Sequence, residues 1–221
     1  MIDIHDQLHV SGYVLIPSYV PEAETVQTIS KLGSVSRISG VNEKQLLVPL
    51  EPSRSTPNTY SGNYGLSAFP LHTDLAHWHL PPRYLALRCI VGTESVATRL
   101  MDTRAIVSAI GRNELRRILV HPRRAICGGR GLLRLLETPA GQEDMFRWDL
   151  LFIKPATEFS RSAMEEVKRL IATESEKKIY LTGQGDTLIV DNWRMLHGRA
   201  PVNQNAILRK IERVYLEEVF C

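Results

Sequence analysis

Two short segments, far apart in the chain, carry side chains that could hold a metal ion. The first contains His72 and Asp74, separated by one residue, and the second contains His197. If residues 71–75 form a strand, the side chains of His72 and Asp74 point to the same side of it. Two neutral imidazoles and one carboxylate form the facial triad that binds non-heme Fe(II) and leaves coordination positions open. The sequence therefore predicts a metal site made by these three residues.

A second set of chemically active residues lies near the end of the sequence. Residues 206–217 read AILRKIERVYLE, with the density of branched and aromatic residues typical of a strand. Arg209, Ile211, Arg213 and Tyr215 then share one face. Burying an unpaired guanidinium is costly, so both arginines on this partly apolar face require anions. A carboxylate held by two parallel hydrogen bonds is the partner that arginine geometry favours.

The elements that must position these residues can be outlined from capping and breaking signals. We expect a strand within residues 7–20, a helix over 21–31, a loop over 51–65, a helix capped by Asp102 and softened at Gly111, a helix from Ser162 to Thr173, and a strand leading to His197. Strands at both ends, with metal ligands divided between early and late strands, fit a mainly β fold with flanking helices. The specific expectation is a double-stranded β-helix, or cupin-like jelly roll.

Length and composition favour one ordinary domain. The 221 residues are 43% hydrophobic, which is enough for a sizeable core, so we expect residues 1–221 to form a single domain. The net charge of +3 dictates neither a nucleic-acid nor a membrane partner. Cys89, Cys127 and Cys221 are widely spaced, which predicts neither a disulfide framework nor a zinc site. No signal peptide or membrane span is indicated, and a reducing cytoplasm is the expected location.

The blocks PLHTDLAHWHLPPRYLALRCI, from Pro70, and DTLIVDNWRMLHGRAPV, from Asp186, resemble the Fe(II)/2-oxoglutarate dioxygenase superfamily, in its taurine dioxygenase-like branch. This resemblance implies the jelly-roll fold, with O2 and 2-oxoglutarate as cosubstrates. It also implies that Arg209, twelve residues after His197, and Thr98 bind the carboxylates of 2-oxoglutarate. The family's usual paired glycines are absent before Thr98, where Val96 and Ala97 stand instead.

The resemblance further implies hydroxylation of an unactivated C–H bond, with release of succinate and CO2. Asp74 favours hydroxylation, since a halogenase of this superfamily has a small residue at the carboxylate position. Arg213 lies where part of the family binds an anionic substrate group, so we expect a small anionic or amino-acid-like substrate. The alternative for Arg213 is an ion pair with a protein carboxylate.

Several nearby residues have less specific patterns. His77 and His79 would share one face of a strand and either line the substrate pocket or lie on its rim. Asn192 and Trp193 are expected to support the ligand His197, because a metal-bound histidine needs its other ring nitrogen fixed.

Two other classes of protein remain open at this point. One is a metal-dependent cupin that works without oxidation, such as an isomerase or lyase. The other is a binding module without catalytic activity, in which the segment 112–134 contacts a carrier protein, another anionic partner or, with less support, nucleic acid. That segment contains seven arginines and one acid, although a solvated surface is the more common explanation for such a run.

Overall fold

A computed structural model describes residues 3–124 and 131–220 of the chain. The described part is mainly antiparallel β-structure with helices beside it. The α-helices are α1 (Ile4–Ser11), α2 (Thr25–Ile29), α3 (Tyr60–Tyr64), α4 (Arg104–Ile110), α5 (Arg112–Arg117) and α6 (Glu158–Thr173). The strands are β1 (Tyr13–Ile16), β2 (Gly33–Val35), β3 (Lys44–Leu47), β4 (Tyr84–Val91), β5 (Thr98–Asp102), β6 (Leu119–Pro122), β7 (Leu133–Arg134), β8 (Leu136–Glu137), β9 (Met145–Phe146), β10 (Ile153–Pro155), β11 (Lys177–Ile179), β12 (Thr187–Asp191), β13 (Met195–Arg199) and β14 (Lys210–Val219).

The larger sheet has six strands and carries the long strand β14. Its strand order is β1-β12-β4-β14-β2, and β3 pairs with another part of β14. The pairing of β14 with β4 shifts register between Lys210 and Ile211, so Arg209 lies just before the regular part of the strand. This sheet supplies the residues Ile211, Arg213 and Tyr215 to the interior.

A smaller sheet of three strands has the order β11-β5-β13. In it, β13 pairs with β5 so that Arg199 lies opposite Thr98 and His197 opposite Leu100. An isolated bridge between His72 and His197 continues this sheet beyond β13. The smaller sheet therefore supplies His197 and Thr98.

The two sheets share one apolar core. Buried side chains of the larger sheet, such as Leu85 and Val190, form a cluster with Leu100 and Met195 of the smaller sheet. Helices α1 and α2 cover the opposite face of the larger sheet through Leu8 and Ile29. A further buried cluster joins α4, α5 and α6 to the short strands β6 to β10. The expected mainly β arrangement with flanking helices is confirmed.

The strand expected within residues 7–20 is correct only for β1. Residues 4–11 form helix α1 instead, because Asp3 caps the backbone N–H of Asp6 and Gly12 ends the helix at φ 76°. A Cβ atom at Gly12 would lie 2.5 Å from the sulfur of Met195, so the turn also requires glycine for space. Leu8 packs against the larger sheet from this helix, and that packing favours helix over strand although the composition of residues 7–11 is strand-like.

The predicted helices are present with shifted starts. Helix α2 covers only the middle of residues 21–31, and α6 begins at Glu158, capped by Thr157, but ends at Thr173 as expected. Asp102 ends β5 and Thr103 occupies the cap position of α4, although Asp102 still accepts a hydrogen bond from the Arg104 N–H. The break at Gly111, where φ is 92°, separates α4 from α5 as predicted.

The structure also locates one of the cysteines and gives the character of the helices. Cys89 is a free thiol buried in the core between the sheets, whereas Cys127 and Cys221 lie outside the described residues. Within residues 3–124 and 131–220, none of the helices has the length and apolar character needed to cross a membrane.

Candidate metal centre and cosubstrate site

The segment that carries His72 and Asp74 is held by three consecutive sets of hydrogen bonds. The N–H groups of His72 and His197 each donate to the carbonyl of the other residue at 2.9 Å. Thr73 is bound to Trp148, and the Asp74 N–H donates to the Asn192 side-chain oxygen at 2.7 Å. Residues 71–75 are therefore not the strand expected, since only His72 pairs with β13.

A turn replaces the second half of the expected strand and still brings the three side chains together. Leu75, directly after Asp74, has a left-handed backbone with φ 54°, which turns the chain away from the sheet. The Asp74 Oδ1 atom lies 3.4 Å from His72 Nε2 and 3.5 Å from His197 Nε2. The predicted convergence of these three residues is thus present, by a different local conformation.

The donor atoms fit a divalent metal ion. One ligand atom from each residue lies within 4.8 Å of the others, and all three side chains are buried. A metal with bonds of about 2.1 Å and right angles between them separates neighbouring donors by about 3 Å. The observed separations approach that value, and the chemistry of two imidazoles and one carboxylate suits Fe(II).

The glycine after His197 permits this close arrangement. A Cβ atom at Gly198 would lie 2.7 Å from the carbonyl oxygen of Phe69. The segment that leads to His72 therefore lies directly against β13, and a side chain at position 198 would push the two ligand segments apart.

Hydrogen bonding sets the ring orientation of the first histidine. His72 Nδ1 lies 2.9 Å from the Pro70 carbonyl, which only accepts, so Nδ1 carries the proton and Nε2 presents its lone pair. Burial disfavours the charged form of His72, but the Asp74 carboxylate outweighs this effect and raises the pKa of His72. Burial and the neighbouring His72 lower the pKa of His197. Its Nδ1 is buried without a hydrogen-bond partner among the described residues.

Arg213 and Tyr215 contact the oxygen of Asp74 that faces away from the histidines. Arg213 Nη1 lies 2.5 Å from Oδ2, and the Tyr215 hydroxyl donates to the same oxygen at 3.0 Å. The other end of the Arg213 guanidinium contacts the Gln45 side-chain oxygen. Although burial opposes ionisation of Asp74, Arg213 and the histidines hold its pKa well below the usual range. Of the two possibilities predicted for Arg213, the structure thus has the second, an ion pair with a protein carboxylate.

The three candidate metal-binding residues line a cavity of about 710 Å³ between the two sheets. This volume is typical of a site for a small molecule. All four residues predicted to share a face of β14 line it: Arg209, Ile211, Arg213 and Tyr215. Thr98 of β5 lines it from the smaller sheet. The structure therefore brings the predicted metal and 2-oxoglutarate residues to one cavity.

Arg209 is buried, and no carboxylate of residues 3–124 or 131–220 forms an ion pair with it. Its side chain is buried, its Nε has no hydrogen-bond partner among the described residues, and burial lowers its pKa. Arg199 lines the same cavity, and burial, together with the charge of Arg209, lowers the pKa of Arg199 to about 10. Arg199 donates to the carbonyls of Gly65 and Ser67, whereas Arg209 stays available for an anionic ligand.

The two histidines after Asp74 do not share one face, because residues 74–80 form turns and bends and not a strand. His77 lines the cavity, and burial lowers its pKa. His79 is exposed and is not among the residues that line the cavity. The backbone around the two histidines is held by the fully buried Arg147, which donates to the carbonyls of Ala76, Trp78 and His79.

Asn192 supports a different ligand from the one expected. Its side chain binds both the N–H and the carbonyl of Asp74, so it orients the carboxylate segment and not His197. Trp193 is buried and donates from its indole nitrogen to the Pro81 carbonyl. It fixes the loop that follows the first ligand segment.

Sequence reasoning missed two residues beside the candidate metal centre. Tyr60, from α3 within the expected loop 51–65, stacks on His72 with ring centroids 4.1 Å apart. Asp149 lines the cavity and is 1% exposed. Neither belongs to a recognisable spacing pattern. The signal that could have identified Asp149 was an acid within the largely apolar run MFRWDLLFI, in which Arg147 is the other charged residue.

The described arginines of segment 112–134 contact nearby surface groups. Arg112 forms an ion pair with Asp144, Arg117 with Glu114, and Arg134 donates to the carbonyl of Arg116. These contacts agree with a solvated surface and provide no support for a carrier protein. Residues 125–130 of the segment lie outside the described part of the chain.

Comparison with known proteins identifies the fold. Three solved structures match nearly the whole chain. The structure of asparagine oxygenase with Fe(II), 3-hydroxyasparagine and succinate is 16% identical in sequence, matches 97% of this chain and 77% of that one, and has a TM-score of 0.71. The structure of OrfP with Fe, succinate and (3S)-hydroxy-L-Arg is 17% identical, matches 97% of this chain and 78% of that one, and has a TM-score of 0.68. PvcB of Pseudomonas aeruginosa, an Fe, α-ketoglutarate dependent oxygenase from an isonitrile synthetic pathway, is 18% identical, matches 96% of this chain and 78% of that one, and has a TM-score of 0.65. No protein-family model matches the sequence, and no curated protein sequence does.

The chain thus has the fold of the non-heme iron oxygenases to which it is similar. At identities of 16–18% this likeness concerns the path of the backbone. The chemistry of the site is set by its own side chains.

Proposed function

We propose that this protein is an Fe(II)- and 2-oxoglutarate-dependent oxygenase that hydroxylates a C–H bond of a small molecule and releases succinate and CO2. The observation that carries the proposal is the convergence of His72, Asp74 and His197 in a cavity that also contains the unpaired Arg209. A metal-binding face next to a buried, uncompensated cation suits a cosubstrate that chelates a metal at one end and carries a carboxylate at the other.

His72, Asp74 and His197 are proposed as the metal ligands. When bound, Fe(II) supplies the chemistry of oxygen activation. The protein's own contribution is orientation and charge. Pro70 fixes the protonated nitrogen of His72, and Asn192 fixes the backbone of Asp74. The carboxylate of Asp74 presents Oδ1 to the histidines because Oδ2 is taken by Arg213 and Tyr215.

Arg209 and Thr98 are proposed to bind 2-oxoglutarate. The guanidinium of Arg209 would pair with the distal carboxylate, since two parallel hydrogen bonds match that group. The support is the burial of Arg209 without an anion and its place in the same cavity as Thr98. Arg209 is buried, and a charge pair is stronger in such surroundings than in water.

The substrate is proposed to be amino-acid-like. Asparagine oxygenase and OrfP, which share the fold, hold hydroxylated asparagine and hydroxylated arginine in their structures. Among the substrate residues predicted here, His77 lines the cavity, whereas His79 is exposed and would lie at its rim. Arg213 lines the cavity, but its contact with Asp74 favours the ion-pair role over direct binding of a substrate anion.

The finer structural and cellular assignments are part of the same proposal. The two facing antiparallel sheets support a double-stranded β-helix, and their shared core supports a single catalytic domain. A reducing cytoplasm is proposed because Fe(II) and the free thiol of Cys89 both suit it.

The first test is to add Fe(II) and 2-oxoglutarate to the metal-free protein without oxygen and to record the visible metal-to-ligand charge-transfer band. The band is expected in the wild type and in the control variant Asp144→Ala, which alters a surface ion pair. It should be absent in Asp74→Ala, which removes the carboxylate donor. A wild-type protein that binds the metal but gives no band would refute the oxygenase assignment.

That same result would favour a metal cupin acting as an isomerase or lyase without oxidation. Arg209 and Thr98 argue against that alternative, because it has no need for a buried site for a second carboxylate. A binding module without catalytic activity would bind polyanions through segment 112–134 in a salt-dependent manner and show no metal-dependent turnover.

A further inference from the structure

One wall of the cavity combines aromatic rings with a single buried carboxylate. The ring of Phe152 lies 6.0 Å from that of Tyr60 and 5.1 Å from that of His77, measured between centroids. Tyr60 in turn stacks on His72, so the wall borders the candidate metal centre directly. Asp149 lies in this wall, and all these residues line the same cavity.

Asp149 has hydrogen bonds but no cation. Its Oδ1 accepts from the N–H groups of Leu151 and Phe152 at 2.9 and 3.2 Å. In the described part of the chain, no lysine or arginine forms an ion pair with it. The carboxylate is almost completely buried, and burial raises its pKa. A buried carboxylate in this situation favours any ligand that brings a positive charge.

Among the other charged groups of the cavity, Asp74 has a cationic partner and Arg209 is itself a cation. Asp74 is paired with Arg213, and the proposed metal adds positive charge beside it. Arg209 is assigned to the distal carboxylate of 2-oxoglutarate. Asp149 is therefore the carboxylate of the cavity that no lysine or arginine of the described residues balances. The Tyr60 hydroxyl donates a hydrogen bond to it, and its nearest charged neighbour is His72, which is a neutral imidazole in its proposed role as a metal ligand.

The surroundings of Asp149 suit a nitrogen cation. The faces of aromatic rings attract ammonium and guanidinium groups, and the rings of Tyr60 and Phe152 lie in the same wall. Burial lowers the pKa of His77, so this imidazole is neutral and does not repel a cation. Its Nδ1 is buried without a hydrogen-bond partner among the described residues, and His77 lines the same cavity.

We propose that Asp149, together with Tyr60 and Phe152, binds a cationic N–H group of the substrate, an ammonium or a guanidinium. The inference rests on the proposed oxygenase function and extends it, because it assigns a positive group to the substrate and a residue to its recognition. It narrows the expected small anionic or amino-acid-like substrate to one that carries a positive group on the side of the cavity formed by Asp149.

The test measures ligand binding by its effect on the charge-transfer band of the anaerobic protein with Fe(II) and 2-oxoglutarate. The probes are L-asparagine, whose only cation is the α-ammonium, Nα-acetyl-L-arginine, whose only cation is the guanidinium, and agmatine, which lacks the carboxylate. N-acetyl-L-asparagine serves as the neutral-nitrogen counterpart. The variant is Asp149→Asn, whose side-chain oxygen can still accept from Leu151 and Phe152, and the control is Asp144→Asn.

At least one cationic probe should bind the wild type and the control about 10–100-fold more tightly than Asp149→Asn, as expected for loss of a charge-assisted hydrogen bond. The neutral counterpart should bind all three proteins equally. The responding probe identifies the cation as ammonium or guanidinium. Equal binding of cationic probes to wild type and Asp149→Asn, or no binding of any cationic probe, would overturn the inference.

Two measurements keep the result interpretable. If Asp149→Asn does not fold, the wild-type protein alone decides, because it must prefer L-asparagine over its N-acetyl form, or Nα-acetyl-L-arginine over the neutral Nα-acetyl-L-citrulline, by at least about 10-fold. A wild type without the charge-transfer band contradicts the oxygenase function, whereas a normal band without preference for cations contradicts only the role of Asp149.

Discussion

Replacing Arg213 by glutamine should destabilise the metal-free protein substantially. Arg213 pairs with Asp74 at 2.5 Å, and the two side chains are only 19% and 7% exposed. Removing one partner of such a buried pair leaves the other charge uncompensated, which costs about 3–5 kcal/mol. For a protein of this size, each kcal/mol lowers Tm by about 2–4 °C, so the expected loss is about 6–20 °C.

Thermal unfolding in the presence of EDTA, followed by circular dichroism and calorimetry, measures this loss. The matched control is Arg117→Gln, which removes an ion pair with Glu114 of comparable distance, 2.9 Å, but with side chains 63% and 50% exposed. An exposed pair contributes less than about 1 kcal/mol, so Tm of the control should fall by no more than about 4 °C.

A divalent metal should restore part of the lost stability in Arg213→Gln. A cation bound between the histidines and Asp74 supplies the positive charge that the variant lacks, so the rise in Tm on adding Co(II) should be larger in the variant than in the wild type. If instead Tm of the metal-free variant matches that of the wild type, the ion pair is not structural. Arg213 would then be the substrate residue that the sequence first suggested.

Three further variants test other parts of the structure. Arg209→Gln should raise the 2-oxoglutarate concentration needed for the charge-transfer band about 10–100-fold while metal affinity is unchanged; equal losses of both would contradict its assignment to the cosubstrate. Arg147→Met should lower the free energy of unfolding in urea by about 3 kcal/mol or more, because the carbonyls of Trp78 and His79 lose their donor and Glu137 loses its ion-pair partner; a loss below about 1 kcal/mol would refute this account. Gly12→Ala should cost at least about 1–2 kcal/mol in the same assay, since φ is 76° and Met195 occupies the space; unchanged stability would show that α1 ends differently in solution.

The sequence was informative where residue type and spacing act locally. The pattern around His72 and Asp74 identified two of three converging donors, and the alternation along residues 209–215 identified four residues that line the cavity. Both sets of residues reach the cavity although the local conformation differs from a regular strand. The chain turns at Leu75 in the first segment, and the strand pairing shifts register after Lys210 in the second.

The remaining features depend on contacts between distant segments. Helix α1 forms because its apolar face packs on the larger sheet, which the local composition of residues 7–11 does not reveal. Asn192 was expected to support His197, but the fold places it against Asp74, 118 positions away. Asp149 became a candidate only when the strands brought it to the cavity that contains His72.

The two halves of the site are built in different ways, which has an evolutionary consequence. The two histidine donors are fixed to the edge of a sheet by backbone hydrogen bonds, and Asp74 is fixed by the side chain of Asn192. By contrast, Tyr60 lies on a short helix within the segment 51–65, and Asp149 lies in a connection between short strands. Loops accept insertions and substitutions more readily than sheets do. Substitutions in the connections that carry Tyr60 and Asp149 could therefore change which compound is oxidised while the metal ligands stay the same. The same metal centre could then act on many substrates in proteins that differ in these connections.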